Sequence, residues 1–226
     1  MKRLRPKPSF ELTAGCLCLD FANTLDERLS GHPRDKLQGY NELLAFGQQT
    51  GVFTVSEARQ LERQGLVHHS EASALFREAV GVREMVFRIM TAVAGGNAVS
   101  AADVAAFNAA LRQAQAGSLV APAPGQAAWR YEQQSSGGGR LIGQIVRSAA
   151  EVLTSDDIRR VKSCAAGKCC WLFLDRSRSS NRRWCEMRTC GSQNKARAYY
   201  QRKTAARQKP VANYRRAPEP SPESAR

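Results

Sequence analysis

The chain has 226 residues, 42% apolar and 7% aromatic, which allows one large or two small domains with a sizeable core and excludes a disordered or fibrous protein. Its formal net charge is +14. That charge is concentrated: residues 155–216 carry 17 Lys/Arg against 4 Asp/Glu, whereas residues 1–154 carry 16 against 14.

In chain order, Cys16 to Leu25 alternates Leu17, Leu19 and Phe21 with other residues, which predicts a short strand ending at Asn23-Thr24. Leu37, Tyr40, Leu43, Leu44 and Gly47 recur at helical spacing, so a helix is expected from about Lys36 to Gln49, closed by Gly51. Ser56 reads as the N-cap of the next helix, with Glu57 in its first turn. A longer helix is expected from about Glu71 to Ala94, buried through Leu75, Val82, Val86, Ile89 and Val93 and ended by Gly95-Gly96. His68-His69 has no partner signal and is assigned to a surface or helix start. Ser100 caps a helix carrying Val104, Phe107 and Leu111, stopped by Gly117. Leu119-Val120 and Trp129 to Tyr131 then read as two strands joined by a turn, natural partners for the first strand. Gly137 to Gly139 is expected to be a hinge before a helix over Leu141 to Leu153, after which Thr154 to Asp157 cap a further turn. The Pro-, Ser- and Glu-rich residues 217–226 are expected to be disordered. The fold class expected is α+β: a helix-rich N-terminal domain with a small antiparallel sheet, then a small treble-clef-like module.

That module is built on Cys164-x4-Cys169 and Cys185-x4-Cys190, two matched pairs fifteen residues apart. Four thiolates at tetrahedral geometry complete the coordination of Zn²⁺, so one structural zinc ion is expected. Cys170 could replace Cys169, but Cys169 makes the pairs symmetric. Redox cysteines lack a Cys-x-x-Cys motif, and all three histidines, His32, His68 and His69, lie far upstream. Ordinary buried thiols are the remaining alternative. Trp171 to Leu174 is apolar enough to pack on the metal lobe. Gly191 and the helix-forming residues 195–203 place the last ligand at a helix start, where the dipole favours thiolate charge.

Around the metal the sequence is basic. Arg176, Arg178, Arg182 and Arg183 fall on the loop between the pairs; Lys195, Arg197, Arg202 and Lys203 fall on the following helix. Arginine and lysine on a fixed scaffold are suited to phosphate and base-edge contacts, so these eight are the candidate nucleic-acid residues. Double-stranded DNA is the expected partner and RNA the alternative; a solubilising basic face is the plain reading. Tyr199 and Tyr200 could stack on single-stranded bases or pack the helix.

Arg160 to Ala166, Cys169 to Arg178, Arg182 to Met187, Cys190-Gly191 and Lys195-Ala-Arg197 resemble the CGNR zinc-finger family. Leu17 to Leu25 is similar to the opening of the ABATE-type domain that precedes this finger in bacterial proteins, and Arg34-Asp35, Trp129 and Thr154 to Asp156 also fall where that family has similar residues. The resemblance covers roughly residues 14–207. It implies an ABATE-like sensor domain over 14–153 and a zinc finger over 158–207, with zinc ligands Cys164, Cys169, Cys185 and Cys190, in a stress-induced transcription regulator that binds DNA through the finger. One departure is plain: Cys190-Gly191 is followed by Ser192-Gln193 instead of the Asn-Arg of the family motif. The ligand and the glycine are kept, and the arginine's charge is not.

Asp20, Asn23 and Arg34, with Thr24 beside them, are the candidate binding residues for an unknown small-molecule effector; satisfaction of a buried turn is the competing reading. No Gly-rich phosphate loop, nucleophile elbow or paired metal-ligating histidines are present, so enzymatic activity is not expected. An enzyme recruited to a polyanion by the finger is the least favoured alternative. No apolar run approaches the roughly 20 residues that cross a bilayer, no signal peptide follows the basic start, and the cysteines suit a reducing compartment. A cytoplasmic protein without membrane attachment is therefore expected. Assembly is left open, a homodimer included.

Overall fold

The computed structural model describes residues 9–116, 118–123, 126–131 and 137–207. The tail 217–226 lies outside them. Helices dominate: α1 (Leu17–Ala22), α2 (Tyr40–Gln49), α3 (Val55–Val67), α4 (His69–Ala94), α5 (Ala101–Ala116), α6 (Gly137–Thr154) and α7 (Ser192–Arg207). Three antiparallel pairs interrupt them: β1 (Leu25–Asp26) with β2 (Arg34–Asp35), β3 (Ser118–Ala123) with β4 (Gln126–Tyr131), and β5 (Val161–Ser163) with β6 (Leu172–Leu174). A 3-10 turn (Asp156–Arg160) and a π-helical turn (Met187–Gly191) complete the order. This is the α+β, helix-rich architecture expected. Among the described residues no helix is long and apolar enough to cross a membrane.

The expected first strand is a helix. Its alternation arises only if Cys16 and Cys18 are counted with the polar face, yet Cys18 is fully buried beside Leu19, Phe21 and Ala22. Residues 17–22 are thus an apolar run broken only by Asp20, and periodicity cannot assign so short a run. Its expected sheet partners, β3 and β4, pair with each other, Val120 opposite Trp129. The α3 cap is Thr54 rather than Ser56: its hydroxyl accepts from Glu57 N (3.2 Å), and the Glu57 carboxylate accepts from Thr54 N (2.7 Å). This reciprocal box satisfies two otherwise orphaned donors. His68 stands at the N-cap position of α4, at the surface, without a side-chain capping bond. The expected hinge at Gly137 to Gly139 is the first turn of α6. Gly138 is needed there because a Cβ would fall 1.7 Å from Leu75 Cδ2.

The core is continuous across the expected domain boundary. Phe21, Phe46, Leu19, Leu43, Met90, Leu141 and Ile145 are fully buried, and so are Leu172, Phe173 and Leu174 of β6. Leu174 N donates to Ala14 O (2.8 Å). At about 1.5–3 kcal/mol for each fully buried large side chain, β6 contributes several kcal/mol by packing alone. The metal-binding segment therefore borrows a core from the helices and does not depend on zinc for all of its folding energy.

Candidate metal centre and nucleic-acid face

The β5–β6 hairpin makes the first half of the metal centre. Cys164 N donates to Trp171 O (2.7 Å) and Cys169 N to Ala166 O (2.9 Å), which curls residues 164–171 into a knuckle with both sulfurs on one side. The chain then loops over residues 175–183 and returns through Cys185, whose N–H points at Cys164 Sγ (3.4 Å). Cys190 follows in the π-helical turn, two residues before α7 begins at Ser192. Gly191 leaves room at this point: a Cβ there would fall 2.5 Å from Met187 Sδ, so that side chain would have to move, and 3.4 Å from Trp184.

The ligand atoms of Cys164, Cys169, Cys185 and Cys190 all lie within 4.8 Å of one another. Cys169–Cys185 and Cys185–Cys190 Sγ separations are 3.6 Å. Zinc–sulfur bonds of about 2.3 Å give a tetrahedron with edges of about 3.8 Å, so the cluster fits Zn²⁺ with shifts of no more than about 1 Å. Cys170 is outside the cluster, in a left-handed conformation (φ 57°). The expected ligand set is thus the one brought together. Four thiolates held this close would need a cation between them. Hydrogen bonds from Cys169 and Cys185 hold Cys164 far below the ordinary thiol range, while the same contacts push Cys169 up, and hydrogen bonding to Cys164 pushes Cys185 up. One sulfur alone can ionise cheaply; a divalent ion lets all four do so.

Asp175 organises the loop between the pairs, a role the sequence reading missed. Its side chain is 0% exposed and accepts from Lys162 Nζ (2.6 Å), Ser177 N (3.0 Å), Ser177 Oγ (2.5 Å) and Arg182 N (2.9 Å). Burial opposes the charge, but these donors hold the carboxyl well below its ordinary range. The available signal was Asp-x-Ser directly after an apolar strand, the pattern of an Asx turn.

The eight candidate basic residues divide by what they touch. Arg182 is structural: it donates to the carbonyls of Trp184 (3.0 Å) and Cys185 and lies over the Phe173 ring (4.5 Å), so it is removed from the nucleic-acid set. Arg176 pairs with Asp157 (3.2 Å). Arg183 is exposed, over Trp184 (5.4 Å), and Arg178 is exposed without a carboxylate partner. Lys195, Arg197, Arg202 and Lys203 are all exposed on α7, and none meets a carboxylate among the described residues. From Ser192 to Thr204 only Asn194 is even partly covered, its amide donating to Cys190 O (2.8 Å). Tyr199 and Tyr200 are 55% and 66% exposed, so packing does not account for them.

Each of the three expected effector residues is engaged within the fold. Asn23 is 3% exposed and clamps β6: its Nδ2 donates to Leu172 O (2.8 Å) and its Oδ1 accepts from Leu172 N (2.9 Å). That leaves its amide committed to the fold, which corrects the ligand reading for this residue. Asp20 accepts from Ala14 N (2.9 Å), and burial raises its carboxyl to about 6. Arg34 sits away on β2, paired with Asp26 (3.3 Å) and Glu27 (3.0 Å). Sequence reading also missed Arg83, 2% exposed, which grips Asp35 through two bonds (2.7 and 2.8 Å) and Glu84 (2.9 Å), tying β2 to α4.

Comparison with protein families returns two matches. Residues 160–203 match the CGNR zinc finger. Residues 15–156 match ABATE, described as "Putative stress-induced transcription regulator". The chain belongs to the ABATE family. No curated protein matches it. In this ABATE member the family match ends within the 3-10 turn, four residues before the finger match begins, yet β6 of the finger lies in the ABATE core.

Proposed function

We propose that the protein is a transcription regulator that binds double-stranded DNA through α7 and the loop around Arg178 and Arg183, with zinc holding both. The observation that carries this reading is the state of α7: a basic helix, exposed along its described side chains, rooted in a four-cysteine cluster, with four cations that meet no carboxylate among the described residues. An isolated basic helix is usually a solvated face. Here it is fixed in direction by Cys190 and Gly191 at its root, which is what phosphate and groove contacts require. Ser192 and Gln193 at the helix start leave base contacts to neutral hydrogen bonding at this end and charge to Arg197 and Lys195. The helical body is read as the sensor of a small-molecule effector, because it shares a core with the finger and can bias it.

Selection of sites from random duplex DNA by zinc-loaded protein at about 150 mM salt tests this, since general polyanion binding weakens steeply with salt. A defined motif that disappears on chelation supports the reading. Full zinc loading without enrichment overturns sequence-specific DNA binding and favours RNA.

A further inference from the structure

Four of the seven cysteines belong to the metal centre, and Cys170 stands outside it. The remaining two, Cys16 and Cys18, bring their sulfurs to 3.6 Å at the start of α1. Cys16 is half-buried, takes extended backbone ahead of the helix and makes no side-chain capping bond. Cys18 is fully buried, and its N–H donates to Ser148 Oγ of α6 (3.2 Å). The two thiols therefore differ in what they can reach: one can meet a solute, and the other is fixed beside it. A hydrogen bond from Cys18 holds the Cys16 thiol below its ordinary range against burial, with Asp20 opposing and Arg176 assisting. The same contact and burial push Cys18 up.

We propose that Cys16 and Cys18 are a modification site, a dithiol that a hydroperoxide converts to a reversible disulfide. The Cys16 thiolate attacks the outer peroxide oxygen and the O–O bond breaks. The leaving alkoxide takes the proton that Cys16 gave up and departs as the alcohol, or as water from hydrogen peroxide. The Cys18 sulfur then attacks the sulfenic acid on Cys16. The S–S bond forms, and the proton of Cys18 leaves with the sulfenic oxygen as water. Two thiols lose two electrons and one hydroperoxide gains them. The first step removes the Cys16 thiolate that raises Cys18, which readies Cys18 for the second.

Closing 3.6 Å to a bond of about 2.05 Å brings the sulfurs together by about 1.5 Å. Cys18 is held on α6, so Cys16 makes the move. Two residues earlier, Ala14 O accepts from Leu174 N of β6 (2.8 Å), and Gly15 between them turns at φ 92° against Leu174. Thr13 O accepts from Arg182 (3.4 Å). The disulfide therefore displaces the strap that holds β6 and the loop ahead of Cys185. The site stands without the regulator reading; only the consequence for DNA rests on it.

The test treats the full zinc-loaded chain with hydrogen peroxide or cumene hydroperoxide, then alkylates free thiols and digests with trypsin. Peptide 4–28 carries both cysteines and no other. It is expected to lose two hydrogens and to resist alkylation until dithiothreitol is added, with zinc content unchanged. Cys16→Ser, a change at a half-buried position, is expected to leave Cys18 reduced. No disulfide within that peptide, or one that forms only after zinc is released, overturns the proposal. In the oxidised parent, duplex affinity is expected to fall by about fivefold or more, to recover with dithiothreitol, and to ignore peroxide in Cys16→Ser. Unchanged affinity across that cycle overturns the coupling to the finger. A chain that forms the disulfide but binds no duplex in either state fails the regulator reading and supports the site.

Discussion

Replacing Asn23 with Ala removes the clamp between α1 and β6 and leaves both backbone groups of Leu172 buried without that partner. Each orphaned group costs about 1–3 kcal/mol, so the loss is about 2–6 kcal/mol, a large part of the 5–15 kcal/mol typical of a whole domain. With a urea slope of about 2 kcal/mol/M the midpoint falls by about 1–3 M. Because Leu172 to Leu174 lie in the helical core, the account expects one cooperative transition by far-UV circular dichroism and by emission of the finger tryptophans, shifted as a unit. Asn23→Asp keeps an acceptor for Leu172 N but sets a carboxylate against Leu172 O, and is expected to be at least as damaging at pH 7. A midpoint within about 0.3 M of the parent, or a finger signal that melts separately at an unchanged midpoint, refutes the shared-core argument.

Cys185→Ser should lower bound zinc below one ion per chain by elemental analysis and abolish duplex binding; retained binding contradicts the scaffold role of the metal. Asp20 gives a pH signature: its folded carboxyl titrates near 6, above the unfolded value of 3.8, so the folded state binds the extra proton. Stability is therefore greatest below about pH 4 as far as this group is concerned and declines as pH rises to about 6. Asp20→Asn should flatten that part of a urea-midpoint profile, and an unchanged profile counts against the burial argument. Asp175→Ala should leave zinc content intact, lower stability by about 2 kcal/mol through the lost acceptor for Lys162, Ser177 and the Arg182 N–H, and weaken duplex binding several-fold by releasing the loop. Undiminished binding would show that loop order is irrelevant to the interface.

The zinc ligands were legible because coordination chemistry acts on residue type and spacing, and Cys169 was separable from Cys170 by symmetry alone. The long helices were legible for a similar reason: twenty-six residues of α4 repeat one apolar face many times. Six residues of α1 do not, and only the burial of Cys18, a tertiary fact, shows the period to be helical. Arg182 and Asn23 looked like recognition residues because a polar side chain in a sequence carries no mark of its partner. Both are spent on the backbone: Asn23 on Leu172, far away in sequence, and Arg182 on the nearby carbonyls of Trp184 and Cys185 and the distant one of Thr13.

The central claim is that the four exposed cations of α7 make phosphate contacts from a zinc-fixed base. It is tested most directly by the salt dependence of duplex affinity for the parent and for Lys195→Ala/Arg197→Ala/Arg202→Ala/Lys203→Ala, both with zinc bound. Each lost phosphate contact lowers the slope of log K against log salt by about 0.9, so the account predicts a slope shallower by about 3 to 4 and weaker binding at every salt concentration. An unchanged slope and affinity in a folded, zinc-replete variant would contradict it.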